Sequence, residues 1–170
     1  MFDPGPPEAA KIVKTAGGEI IGTTRLQKIG CLLELAGAGA GFNFSYHLFG
    51  PYSEALSIAA SDADALELLE MEERTAAWGG RYCVYRTSVE GTEDVPAGVR
   101  TLAKTAASSD SVELELAVTA AFLAKNGFKN PWDEVASRKK GKATEERLSR
   151  AVALYKKLKS SDLPQPLPNI

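Results

Sequence analysis

The stretch ERTAAWGGRYCVYRTS, residues 73–88, decides how this chain folds. It reads as a β-hairpin, with Gly79-Gly80 as a two-residue turn whose positive φ angles glycine adopts without steric cost. That turn would set Trp78 opposite Arg81 and Ala77 opposite Tyr82. A two-stranded hairpin is marginal alone and needs a third strand or a helix to lean on. The residues before it supply both.

Working upstream, PYSEALSIAASDADALELLEME (51–72) reads as a helix over residues 53–71, with Ser53 as N-cap and Glu54 near the positive end of the dipole. Ser61 with Asp64 could instead cap a second helix there. TTRLQKIGCLLELAG (23–37) is a further helix. Thr24 and Gln27 form a capping box, Leu26, Ile29 and Leu33 share a face, and Gly37 stops it. EIIG (19–22) is long enough for one short bridge to the hairpin, and PPEAAKIVKTAG (6–17) is a first helix opened by proline. Helix, short strand, helix, helix, hairpin is the order of a winged-helix unit. Downstream, VEGTEDVPAG (89–98) is a turn-rich linker. AGVRTLAKTAAS, DSVELELAVTAAFLAKNG, NPWDEVASRK and TEERLSRAVALYKKLK are helices, the second apolar nearly all round and therefore central. The expected fold class is α+β, mostly α. A winged-helix-like unit over residues 1–90 and a linker over 91–96 precede a helical part over 97–159. A proline-rich tail over 160–170 would be extended or disordered on composition.

Composition is that of an ordinary globular protein, 44% hydrophobic and 25% charged with net charge -2. The start MFDPGPPEAAK lacks a basic segment followed by an apolar one, so no signal peptide is expected. No apolar run approaches the roughly 20 residues that span a bilayer. Cys31 and Cys83 match no metal-ligand spacing and read as buried thiols in a reducing cytoplasm. Charge is unevenly spread. No Lys or Arg falls between Lys28 and Arg74, whereas Lys and Arg dominate the chain after residue 124.

Three motifs in order, GTTRLQKIGCLLE (22–34), FNFSYHLFGPYSEAL (42–56) and LELAVTAAFLAKNG (114–127), carry a resemblance to the YwgA-like family of small bacterial proteins. More distantly, Leu26, Gln27, Lys28, Gly50 and Pro51 look like the Panacea domain of SocA-like antitoxins, which has an LQK helix followed by a Gly-Pro step opening the next helix. The Panacea resemblance implies a protein that binds and neutralises a toxin or delivers it to a protease. The winged-helix likeness implies transcriptional regulation. Neither implies catalysis.

The lone histidine, His47, lies in the aromatic segment with Phe42, Phe44, Tyr46, Phe49 and Tyr52. It has no nucleophile elbow or second imidazole beside it, so no catalytic, metal or cofactor residues are assigned. It reads as a structural histidine between helices, or as a partner contact. Phe42, Phe44 and Tyr46 alternate and would share one face of an extended segment, either sealing the core or forming an interaction surface. AGAGAGF (36–42) follows a helix rather than a strand, so it is a flexible connection and not a phosphate loop. The would-be recognition helix carries Glu54, Asp62, Asp64, Glu67 and Glu70 and no base, which is repulsive toward a polyanion. The primary expectation is therefore a non-enzymatic, cytoplasmic protein-interaction module. Its candidate partner surface is Tyr46, His47, Phe49, Tyr52, Glu54, Asp62, Asp64 and Glu67. The alternative is a DNA-binding regulator using Arg74, Arg81 and Arg86 of the wing with Arg138, Lys139, Lys140 and Lys142 of the basic patch SRKKGKATEER (137–147). That patch could also meet the acidic helix of a second copy, making a homodimer.

Overall fold

A computed structural model of the chain describes residues 3–170; residues 1–2, which begin the stretch read for a signal peptide, lie outside them. The elements run α1 (Pro6–Thr15), β1 (Glu19–Ile21), α2 (Thr23–Leu35), β2 (Ser45–His47), β3 (Gly50–Tyr52), α3 (Glu54–Ala65), β4 (Glu70–Thr75), β5 (Arg81–Arg86), α4 (Ala97–Ser108), α5 (Ser111–Lys125), α6 (Pro131–Arg138) and α7 (Glu145–Lys159). The class is α+β, mostly α. The first eight elements have the winged-helix order, with one insertion. A short hairpin, β2–β3, sits between the second and third helices.

The main sheet has strand order β1-β5-β4, all antiparallel. β1 pairs over its whole length, Glu19 with Arg86, Ile20 with Tyr85 and Ile21 with Val84, so it is more than a single bridge. The wing turn differs from expectation. Thr75, not Trp78, faces Arg81, and Arg74, not Ala77, faces Tyr82. The loop is Ala77-Trp78-Gly79, closed by Ala76 N–H to Gly80 O at 2.7 Å. Only Gly79 needs the left-handed region, at φ 93°. A three-residue loop with one such glycine competes well with a two-residue turn needing two. The slip is three residues, an odd number, so side chains change faces. Trp78 ends at the tip, 83% exposed, with its ring over Gly80.

Two helix ends were misread in the sequence. α2 is capped by Gly22, not by Thr24, and its N-terminus has no side-chain cap. Gln27 points elsewhere. The helix expected over residues 53–71 ends at Ala65, without a second helix started by Ser61. The end is a Schellman turn, with Leu68 N–H to Ala63 O at 2.8 Å and Glu67 N–H to Asp64 O at 3.0 Å. Its left-handed residue is Glu67, at φ 60°, where glycine is usual. No residue type signalled the stop. Asp64 Oδ1 then accepts the Met71 amide at 2.9 Å and starts β4.

The core is centred on α5. Leu114, Leu116, Ala117, Val118, Ala120, Ala121 and Leu123 are buried on almost every side, between α2, α6 and α7. Its N-cap is Asp110, which accepts the Val112 and Glu113 amides. The proline-rich tail forms neither helix nor strand but is docked on the body. Gln165 N–H bonds Ala36 O at 2.9 Å, Leu167 is buried, and Tyr155 Oη donates to Pro168 O at 2.6 Å. Cys31 is buried and Cys83 half-buried, both free thiols. Among the described residues no helix is long and apolar enough to cross a membrane.

Candidate functional site

The consecutive residues Gln27 and Lys28 face into the protein from α2, each only 1% exposed. The Gln27 amide clasps the backbone of Ser53 from both sides: Ser53 N–H to Oε1 at 2.8 Å, and Nε2–H to Ser53 O at 3.0 Å. Ser53 Oγ is then free to cap α3 by accepting the Leu56 amide. Lys28 Nζ donates to Pro51 O at 2.8 Å. These bonds satisfy buried backbone groups ahead of α3 that would otherwise be stranded.

The Gly50-Pro51 step leads directly into these contacts. Gly50 has φ 87°, and a Cβ there would run into Thr119 Oγ1 on α5. Glycine is thus required twice, by backbone conformation and by the close approach of α5. α5 contributes a second clamp. Glu115, 2% exposed, is a carboxylate on the buried side of α5, and it pairs with Lys139 at 3.1 Å and Lys142 at 2.8 Å. Lys139 Nζ also donates to Leu48 O at 2.6 Å. The hairpin β2–β3 is therefore held from below by two lysines on its own carbonyls, Lys28 on Pro51 and Lys139 on Leu48.

This cluster holds three ammonium groups around one carboxylate. Burial is the dominant influence on Lys28 and pulls it from the ordinary lysine value of 10.5 to about 8, while Glu115 opposes the fall and Lys139 and Lys142 add to it. Burial also pushes the neighbouring Cys31 thiol up to about 12, so it is not a reactive thiolate.

Above the clamp the hairpin has two faces, as the alternation of Phe42, Phe44 and Tyr46 implied. Phe42 is buried, and Phe44 and Tyr46 pack against the core. The other face is open. His47 is exposed, not buried between helices: its Nε2 is 3.0 Å from Ser45 Oγ, and its ring lies 5.1 Å from that of Tyr52. At the two-residue tip, Leu48 is 82% and Phe49 52% exposed. Cations collar the tip. Lys142 Nζ sits 4.5 Å from the Phe49 ring centre, and the Arg138 guanidinium 4.8 Å from that of Tyr46 and 5.1 Å from that of Phe128.

Of the expected partner surface, Tyr46, His47, Phe49 and Tyr52 come together on this hairpin, and Glu54 opens α3 directly behind it. Asp62 is exposed further along α3. Asp64 and Glu67 do not join them. They line a separate cleft with Glu19 and Arg86, where Asp64 serves the α3–β4 junction.

The expected nucleic-acid set is largely spent on internal pairs. Arg74 and Arg86 both reach Glu72, Arg86 also reaches Glu19, and Arg81 reaches Glu73. Arg138 pairs with Glu134. Lys139 is buried rather than part of a solvated patch, and Lys142 joins it on Glu115. Of Arg138, Lys139, Lys140 and Lys142, Lys140 alone has no side-chain partner and stands in solvent. The glycine-rich connection is not a phosphate loop either. The Glu34 carboxylate occupies the Gly41 and Phe42 amides at 2.8 and 2.9 Å.

Gln27, Lys28 and Glu115 were not singled out as site residues by composition or spacing. The available signal was polarity inside apolar patterns: Gln-Lys after Leu26, and Glu115 within VELELAV. Among the described residues no group of three or more His, Cys, Asp or Glu side chains is placed to hold a metal ion. Comparison with known proteins found no matching family model, no matching curated protein and no matching solved structure.

Proposed function

We propose that the chain is a non-enzymatic cytoplasmic protein-interaction module, a regulator or antitoxin-like adaptor, and that it grips its partner with the clamped β2–β3 hairpin. The observation that carries this reading is an exposed apolar tip on an immobilised backbone. Leu48 and Phe49 project into solvent while the carbonyls of Leu48 and Pro51 are fixed by Lys139 and Lys28. A large apolar side chain held rigidly in water contributes nothing to folding. On binding it gives buried area with little further ordering cost. The collar of Arg138 and Lys142, over a cluster with more ammonium groups than carboxylates, favours a partner with an apolar pocket rimmed by carboxylates. Support for the nucleic-acid alternative is weak, because the wing arginines are already ion-paired.

The test is co-expression with the products of neighbouring genes, comparing the native chain with a Leu48→Asp/Phe49→Ser double variant of unchanged melting temperature. A partner retained by the native chain and lost by the variant is the expected result. A partner held equally by both would remove the hairpin from the interface.

A further inference from the structure

Away from the hairpin, a cleft of about 420 Å³ opens between the C-terminal end of α1 and the middle of α4, beneath the segment after β5. Its lining is Lys14, Ala16, Gly17, Val89, Thr92, Arg100 and Lys104, so three cations meet there and no carboxylate among the described residues lines it. None of the ion pairs formed among the described residues involves these three cations. Lys14 Nζ donates only to a backbone carbonyl, Glu90 O, at 3.2 Å. The Nε of Arg100 is buried with no hydrogen-bond partner.

That arrangement is unfavourable by itself. Arg100 and Lys104 are one turn apart on α4, where like charges repel. A buried guanidinium N–H without an acceptor carries a desolvation cost. The C-terminal dipole of α1 accounts for Lys14, which lies in its last turn, but not for Arg100 and Lys104, from the first and middle turns of α4. Arginines lining other clefts are satisfied within the protein, Arg86 by Glu19 and Glu72, Arg81 by Glu73 and Arg25 by the carbonyls of Ile21 and Ser109. Arg100 and Lys104 line this cleft with no such partner. The backbone amides of Gly17 and Gly18 are already bonded to Lys14 O and Val13 O, so recognition would fall to the side chains.

We infer that this cleft binds the phosphate group of a small phosphorylated molecule, with Arg100 as the anchor, Lys14 and Lys104 flanking it, and Val89 and Ala16 against the remainder of the ligand. A doubly charged oxyanion suits a planar guanidinium between two point charges better than chloride or a monovalent carboxylate does. The site is independent of the hairpin, so its fate does not bear on the interaction reading.

The experiment is isothermal titration of the full chain with inorganic phosphate and with glycerol 3-phosphate, with chloride at equal ionic strength as reference. Saturable binding of both phosphates, weakened at least about tenfold by Arg100→Gln and measurably by Lys104→Gln, is expected. Lys104 is exposed, so its variant keeps the test meaningful should Arg100→Gln melt early. Equal heats with chloride, or phosphate binding unchanged in both variants, would overturn the inference. So would Arg100-dependent binding of a DNA oligonucleotide by a protein that ignores both small phosphates.

Discussion

Raising the pH from about 7 to 9 should make this protein more stable, and Lys28 should be the cause. Lys28 is buried beside Glu115, Lys139 and Lys142, and desolvation lowers its pKa from 10.5 to about 8. Between those values the unfolded chain binds more protons than the folded one, so stability rises with pH. The full displacement corresponds to about 3 kcal/mol at about 1.4 kcal/mol per unit. Only the part reached by pH 9 is usable, on the order of 1 kcal/mol. Above about pH 9 the direction reverses. Burial holds Cys31 and Tyr85 up to about 12, so the unfolded chain loses those protons first and is favoured. Urea unfolding at fixed ionic strength, followed by circular dichroism from pH 7 to 10.5, should show a maximum near pH 9. In Lys28→Met the rise should vanish while the later fall remains. Stability that declines steadily from pH 7 in the native chain, or a rise that survives in Lys28→Met, would refute the account of a charged lysine buried at net cost.

Gln27→Ala should cost about 2–3 kcal/mol, because it strands the buried Ser53 amide as well as deleting two hydrogen bonds; equilibrium unfolding reads it directly. Gly50→Ala should cost more than about 2 kcal/mol and disturb the hairpin, since both the positive φ and the contact with Thr119 oppose a Cβ; the Tyr46 and Tyr52 ring signals by NMR would report it. Glu67→Gly should do the opposite, stabilising by about 0.5–1 kcal/mol as the left-handed cap at φ 60° is relieved; a higher melting temperature checks it.

How far the sequence is legible depends on the range of the force involved. Ser53 and Asp110 cap their helices as read, because a cap is settled within three residues. The α3 stop is just as local, but it was illegible because a glutamate occupies the glycine position of the Schellman turn. The wing register was missed because two turn geometries fit the same glycines, and only strand pairing with β1 and the core chooses between them. At the site, the alternation of Phe42, Phe44 and Tyr46 was readable as one face. Packing decided that this face seals the core, while the exposed Leu48 and Phe49 belong to the β2–β3 hairpin, which local pattern did not reveal.

The sequence alone determined the α+β class, the helix–strand–helix–helix–hairpin order and the central place of α5, since periodicity and turn chemistry are properties of short segments. Tertiary structure decided the fate of the charges. Lys139 and Lys142 look like a solvated patch in sequence, and Glu115 looks like one acid among many. Once α5 and the α6–α7 connection pack beneath the hairpin, they become a buried cluster that holds Leu48 and Phe49 out in water. A charge's role depends on which opposite charge and how much water the fold leaves beside it, and neither quantity is local in sequence.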